Sequence, residues 1–169
     1  MNGEFKTLAA ADLRDNAFRL IGRDWMLIAA GTPESHNMMT ASWGGLGVLW
    51  EREVCFVFVR PTRHTFGFLN RSPGFTLSFF EERHRAALEY CGSHSGRDGD
   101  KAAAAGLTPV FDGPDTVLFR EARMAIVCRT LHRQDLDPAG FLDPAIEGFY
   151  PKSDYHRLFV GAIEKVLVR

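Results

Sequence analysis

The sequence predicts a mostly β protein, an antiparallel barrel with short helices inserted between its strands. Three observations predict it. About seven runs rich in β-branched and aromatic residues are bounded by clusters of Gly, Pro, Asn, Asp and Ser. Helical patterns fall between some of these runs without alternating strictly with them, which disfavours a doubly wound parallel sheet. The 169 residues, 46% of them apolar, suffice for one hydrophobic core. No linker, repeat or low-complexity tract divides them, so residues 1–169 read as a single domain.

In chain order, a polar opening leads to DWMLIAAG (Asp24 to Gly31), a strand closed by the turn-prone GTPESHN. MMTASWGG begins a second extended stretch with small residues, and GVLW leads to the polar break Glu51-Arg52-Glu53. EVCFVFV is the strongest strand signal in the chain. FGFLNRSPG reads as a short helix stopped by Ser72-Pro73-Gly74, and FTLSFF as another strand. EERHRAALEYCG has helical spacing, with Ala87, Leu88 and Cys91 on one side. Asp98 or Asp100 can cap a second short helix through KAAAA, with Gly106 near its C-terminus. TVLFR, ARMAIVCRTLHRQ and HRLFVGAIEKVLVR read as strands, the last two separated by the loop DLDPAGFLDPAIEGFYPKSD. Gly161, inside the final strand, marks a bulge or a close backbone approach.

The formal net charge is −1, so no overall basic field points to nucleic acid or to an anionic membrane. Three cysteines at wide spacing, Cys55, Cys91 and Cys128, form no CxxC pair and indicate neither a disulfide framework nor a zinc site. The first residues carry acids and lack a basic start before a long apolar core, unlike a secretory signal. No apolar run has the length of a membrane span. These features lead to the expectation of a cytoplasmic protein with reduced thiols.

Three segments could carry chemistry. In CFVFVRPTRHTFGFL a core-like strand ends in Arg60-Pro61-Thr62-Arg63-His64-Thr65. Arginine forks, hydroxyls and a helix start, which Thr65 could cap, suit a phosphate. A solvated turn whose arginines pair with Glu51, Glu53 or Glu81 suits the same residues equally. CGSHSGRDGDK (Cys91 to Lys101) offers glycines, hydroxyls and a lysine, as an anion-binding loop requires. It lacks the spacing of a Walker A loop or of GxGxxG, and a flexible helix-to-helix connection is its plainer reading. NMMTASWGG (Asn37 to Gly45) has small residues that let a flat ligand approach the backbone; a strand facing a crowded core is the alternative. The six histidines show no HxH or HExxH spacing, Cys91 and His94 lack further metal ligands, and GSHSG is not a nucleophile elbow. Asp135, Asp137 and Asp143 read as solvated turn formers.

Taken together, NMMTASWGGLGVLW, VRPTRHTFGFL, FTLSFF, CGSHSGRDGDK, EARMAIVCR, DLDP and FYPKSDYHRLFVGAIEKVLV resemble, in order and separation, the flavin reductase-like, flavoredoxin-type family of FMN-binding split barrels. The resemblance covers most of the chain after the first twenty or so residues. It implies that Met39, Thr40, Ala41, Ser42 and Trp43 run along an isoalloxazine ring, with Thr40 to Ser42 near its polar edge. It implies that Arg60, Thr62, Arg63 and Thr65 hold the ribityl phosphate; His64 stands where such proteins often carry an aromatic residue. Cys91, Ser93, Ser95 and Gly96 would line the site, and Lys101 would add charge near the phosphate. His156 resembles a position near the nicotinamide.

The resemblance further implies an oxidoreductase in which NADH or NADPH reduces FMN, held or exchanged as a substrate, and a second acceptor drains it. The electron chemistry would belong to the flavin, with no side-chain general base required. Two other readings fit: a flavoredoxin-type carrier reduced by a redox protein partner, and a split-barrel binding protein for another ligand such as haem. Family members usually form homodimers, which makes a homodimer the expected assembly.

Overall fold

The computed structural model describes residues 5–169. Among them, in chain order, are β1 (Lys6–Leu8), α1 (Ala17–Arg19), β2 (Met26–Gly31), β3 (His36–Ala41), β4 (Gly44–Leu49) and β5 (Arg52–Val59). Then follow α2 (His64–Arg71), β6 (Gly74–Phe79), α3 (Arg85–Ser93) and α4 (Lys101–Ala104). The chain ends through β7 (Pro109–Phe111), β8 (Val117–Phe119), β9 (Met124–Asp135) and β10 (Arg157–Val168). Eight strands form one sheet in the order β3-β2-β6-β9-β10-β5-β4, with β1 beside β10, while β7 and β8 pair separately. Every pairing is antiparallel.

The sheet curls into a split barrel whose interior is apolar. Met26, Ile28 and Ala30 of β2 meet Cys55, Val57 and Val59 of β5, Phe75, Leu77 and Phe79 of β6, and Met124, Ile126 and Cys128 of β9 in one cluster. The alternate residues of β2, Leu27 and Ala29, face outward onto Leu88 and Cys91 of α3, Ala102 of α4 and Phe119 of β8. A strand covered on both faces needs apolar residues at every position, which is why MLIAAG shows no alternation. In α2, Thr65, Phe68 and Leu69 are buried, the i, i+3, i+4 face of a helix lying on the sheet. No helix among the described residues is long and apolar enough to cross a membrane.

The seven expected strands are present, and β1, β4 and β7 add to them. β1 and β7 are three residues long, too short to show a period. β4 is GGLGVL, whose glycines carry little strand propensity. The stretch expected to run unbroken through MMTASWGG is interrupted after Ala41, and β4 resumes at Gly44. The β4–β5 turn is Trp50-Glu51, both at positive φ (54° and 56°), as the tightest hairpins require. Thr65 does not cap α2: Arg63 occupies the cap position without a side-chain bond. Asp100, not Asp98, caps α4 by accepting from the Ala103 N–H.

Both readings of Gly161 hold. The β9–β10 register slips between Val160 and Gly161. A Cβ at Gly161 would lie 2.7 Å from Phe75 Cζ and 2.9 Å from Cys128 Cβ. Asp137 and Asp143 accept from the Ala139 and Ala145 N–H groups as turn formers, while Asp135 closes β9 with an ion pair to Arg157 at 2.6 Å.

Candidate functional site

The end of β5 delivers Arg60 and Arg63 to the rim of the barrel, and α2 begins immediately after them. Two adjoining hollows open there, with Arg63 in the wall of both. The first runs along Met39, Thr40, Ala41, Ser42 and Trp43, and Phe58, Arg60 and His156 complete its lining. The second is lined by Thr62, His64, Thr65, Ser93, His94, Ser95 and Lys101. The strand end, the helix start and the glycine-rich loop thus converge, though they are far apart in sequence.

The second hollow is electropositive. Arg63 donates to the Gly92 carbonyl at 2.8 Å and to the Cys91 carbonyl at 3.4 Å, and Lys101 Nζ donates to the same Cys91 carbonyl at 3.2 Å. Both cations therefore rest on the C-terminal carbonyls of α3, where the helix dipole is negative. Among the described residues neither meets a carboxylate. Lys101 is only 5% exposed. Its burial lowers its pKa to about 8; the thiol of Cys91 opposes the shift and Arg63 adds to it. Burial also lowers Arg63. His64 is lowered first by burial and then by Arg97, Lys101 and Arg71, which favours its neutral form. A buried ammonium keeps a proton site open for every bond it does not make. The donors here suit an anion with several oxygens, and the phosphate of a mononucleotide fits them.

The first hollow is different in character. Among the described residues β3 pairs only with β2, so its other edge presents unpaired backbone groups alongside Thr40 to Ser42. The Thr40 hydroxyl is already donated to the Leu88 carbonyl at 2.5 Å, which leaves the backbone as the polar edge at that position. Trp43 is 43% exposed and sits against Phe149 and His156, with ring centroids 5.5 and 5.1 Å away. A flat heteroaromatic ring could lie against β3 with its hydrogen-bonding edge on that backbone.

The structure gathers Thr62, Arg63, Thr65, Ser93, Ser95 and Lys101 in the cationic hollow and Met39 to Trp43 with His156 in the other. Three expected residues stand elsewhere. Arg60 lines the first hollow: Asp154 takes one terminal nitrogen at 2.7 Å and the Phe149 carbonyl the other at 2.6 Å, so its fork is spent on the 149–154 segment. Neither that pairing nor that of Arg63 involves Glu51, Glu53 or Glu81. The Cys91 thiol points into the core under α3 and is wholly buried, contributing its carbonyl instead. Gly96 lines neither hollow; a Cβ there would fall 2.1 Å from Asn37 Oδ1. Asn37 in turn donates to Thr65 Oγ1 at 2.8 Å, fixing that hydroxyl at the hollow. Sequence reasoning gave no role to Asn37, Phe58, Tyr150 or Asp154: Asn37 and Phe58 lie inside segments it singled out but read as strand residues, and nothing local to Tyr150 and Asp154 signals a site.

The profile of the flavin reductase like domain family matches residues 18–169. A search of curated protein sequences finds no significant match. Among solved structures, the chain is similar to the FMN-binding domain of a flavin reductase-like enzyme from Shewanella baltica OS155, at 16% identity and a TM-score of 0.70, covering 99% of this chain and 78% of that one. It is similar to the flavoredoxin of Desulfovibrio vulgaris (Miyazaki F), at 24% identity and a TM-score of 0.67, covering 97% and 76%. It is also similar to an FMN-binding protein from Thermus thermophilus with bound p-hydroxybenzaldehyde, at 21% identity and a TM-score of 0.68, covering 97% and 82%.

Proposed function

The chain belongs to the flavin reductase-like domain family, and on that premise we propose that it binds FMN and passes electrons from NADH or NADPH to a second acceptor. The observation that carries this is the pair of cations, buried Lys101 and half-buried Arg63, held on helix carbonyls without a carboxylate among the described residues and bordering the slot along β3. Bound FMN would supply the electron chemistry. The residues of the chain bind and orient it. Arg63 and Lys101 take the phosphate, with Thr62, Thr65, Ser93 and Ser95 as hydroxyl partners. Met39 to Ser42 lie along the ring, and Trp43 with His156 forms the outer wall where an electron donor would enter.

Anaerobic absorption spectra of the protein loaded with FMN, before and after NADH or NADPH, test the reading. The expected result is a protein-bound flavin spectrum that bleaches on addition of the donor. Flavin that binds and does not bleach would mark a carrier reduced by a protein partner, and failure of FMN to bind would overturn the proposal.

Lys101 gives a second test with a pH signature. Its pKa lies near 8, so FMN affinity should fall as pH rises beyond that value and the ammonium is lost. Because the folded pKa lies below the ordinary one, the charge costs stability in the ligand-free protein, and the cost fades as pH rises through 8 towards the ordinary lysine range. Lys101→Met should therefore raise the Tm of the ligand-free protein at pH 7. It should also weaken FMN by about tenfold and remove the alkaline fall in affinity. Unchanged FMN affinity in this variant would separate Lys101 from the phosphate.

A further inference from the structure

Tyr150 and His156 form a pair that none of the binding roles above accounts for. The Tyr150 hydroxyl lies 2.8 Å from His156 Nδ1, and both side chains are buried. Among the described residues Nδ1 is the only partner within hydrogen-bond reach of that hydroxyl. A buried phenol has one proton to place, and Nδ1 is the acceptor it reaches. A buried hydroxyl that donates to Nδ1 permits a neutral imidazole one form, with the ring proton on Nε2. Among the described residues Nε2 has no partner, yet it is not sealed from solvent, and His156 lines the slot beside Trp43.

We propose that Tyr150 is a positioning residue that fixes His156 as the Nε2–H tautomer, making the slot's mouth a donor site for a planar, uncharged group that carries an acceptor oxygen, such as a carboxamide or aldehyde. The groups facing the imidazole favour its neutral form. Burial lowers its pKa to about 4, Arg60 adds to the shift, and Asp154 opposes it only in part because its carboxylate is bound to Arg60. The Arg60 guanidinium lies 5.0 Å from the centre of the Tyr150 ring, so the arginine that lowers the imidazole also packs on the phenol. A neutral donor selects for an acceptor oxygen without rewarding negative charge. It also keeps this selectivity constant across the physiological pH range.

The nature of the partner rests on the flavin reading; the tautomer does not, and it is measured on the ligand-free chain. Long-range nitrogen–proton NMR at neutral pH should show His156 in the Nε2–H form. Tyr150→Phe should lower the tautomer ratio by about fivefold, as loss of one net hydrogen bond implies, while the amide spectrum stays folded. An Nδ1–H form in the parent, or an unchanged ratio in Tyr150→Phe, would overturn the proposal. With FMN-loaded protein, nicotinamide should shift the His156 Nε2–H resonance more than benzene does. Equal shifts would overturn the donor role, whereas failure of FMN itself to bind would count against the flavin reading and leave the tautomer result standing.

Discussion

Arg63→Ala is expected to weaken FMN binding by about 10- to 150-fold, because a hydrogen bond to a charged group is worth about 1.5 to 3 kcal/mol. Riboflavin, which lacks the phosphate, should lose little affinity in the same variant. Titration of both ligands by fluorescence quenching gives the comparison in one experiment. The sequence pairs Arg60 with Arg63 in this role, but the structure separates them. Arg60 is engaged by Asp154 and Phe149, so Arg60→Ala should lower both affinities together by loosening the segment that carries Tyr150. Equal loss of FMN and riboflavin in Arg63→Ala would mean that Arg63 serves only to hold the end of α3, through Cys91 and Gly92.

Gly161→Val should destabilise the protein by about 1 to 3 kcal/mol, the usual cost of overpacking a core. For a chain of this length each kcal/mol moves the Tm by roughly 2 to 4 °C, so a calorimetric scan resolves the effect. The neighbours cannot easily yield. Phe75 and Cys128, 1% and 2% exposed, are enclosed by β-strands on the inside of the barrel. The clash lies away from both hollows, so FMN affinity measured well below the Tm should change little. An unchanged Tm would show that Phe75 can swing aside and that the slip in register, not the close approach, accounts for glycine at this position.

The strands that pack on both faces, β2 and β6, were legible because burial dictates their composition, and β5 reads as an equally clear apolar run although Phe56 and Phe58 on its second face are only partly buried. Helix α3 was legible from one face, Ala87, Leu88 and Cys91, and α4 from its capping aspartate. The candidate site was legible as three segments, because arginines, hydroxyls and glycines at the ends of elements keep a chemical character that packing does not require. Their partners were not. Asp154 is 94 residues from Arg60, and Thr65 is 28 from Asn37. Such pairings come from the folding of the sheet and leave no local trace. The same reason hid the burial of Lys101, which sits in a stretch of alanines that any surface helix could carry. Cys91 was misplaced because a cysteine opening a glycine-rich loop looks available, whereas helical phase turns its thiol inward.

The order of the strands gives the slot a mechanical meaning. The sheet begins at β3 and ends through β5 and β4, and Ser42 and Trp43 are the short covalent bridge between its two ends. A ligand in the slot would touch Met39 to Ala41 on the first strand of the path and Phe58 on the penultimate one. It would therefore act as a removable cross-tie, closing with its own surface a seam that the backbone leaves unladdered. Tightness of binding and stiffness of the barrel rim would then be one property, with each departure of the ligand leaving the seam untied.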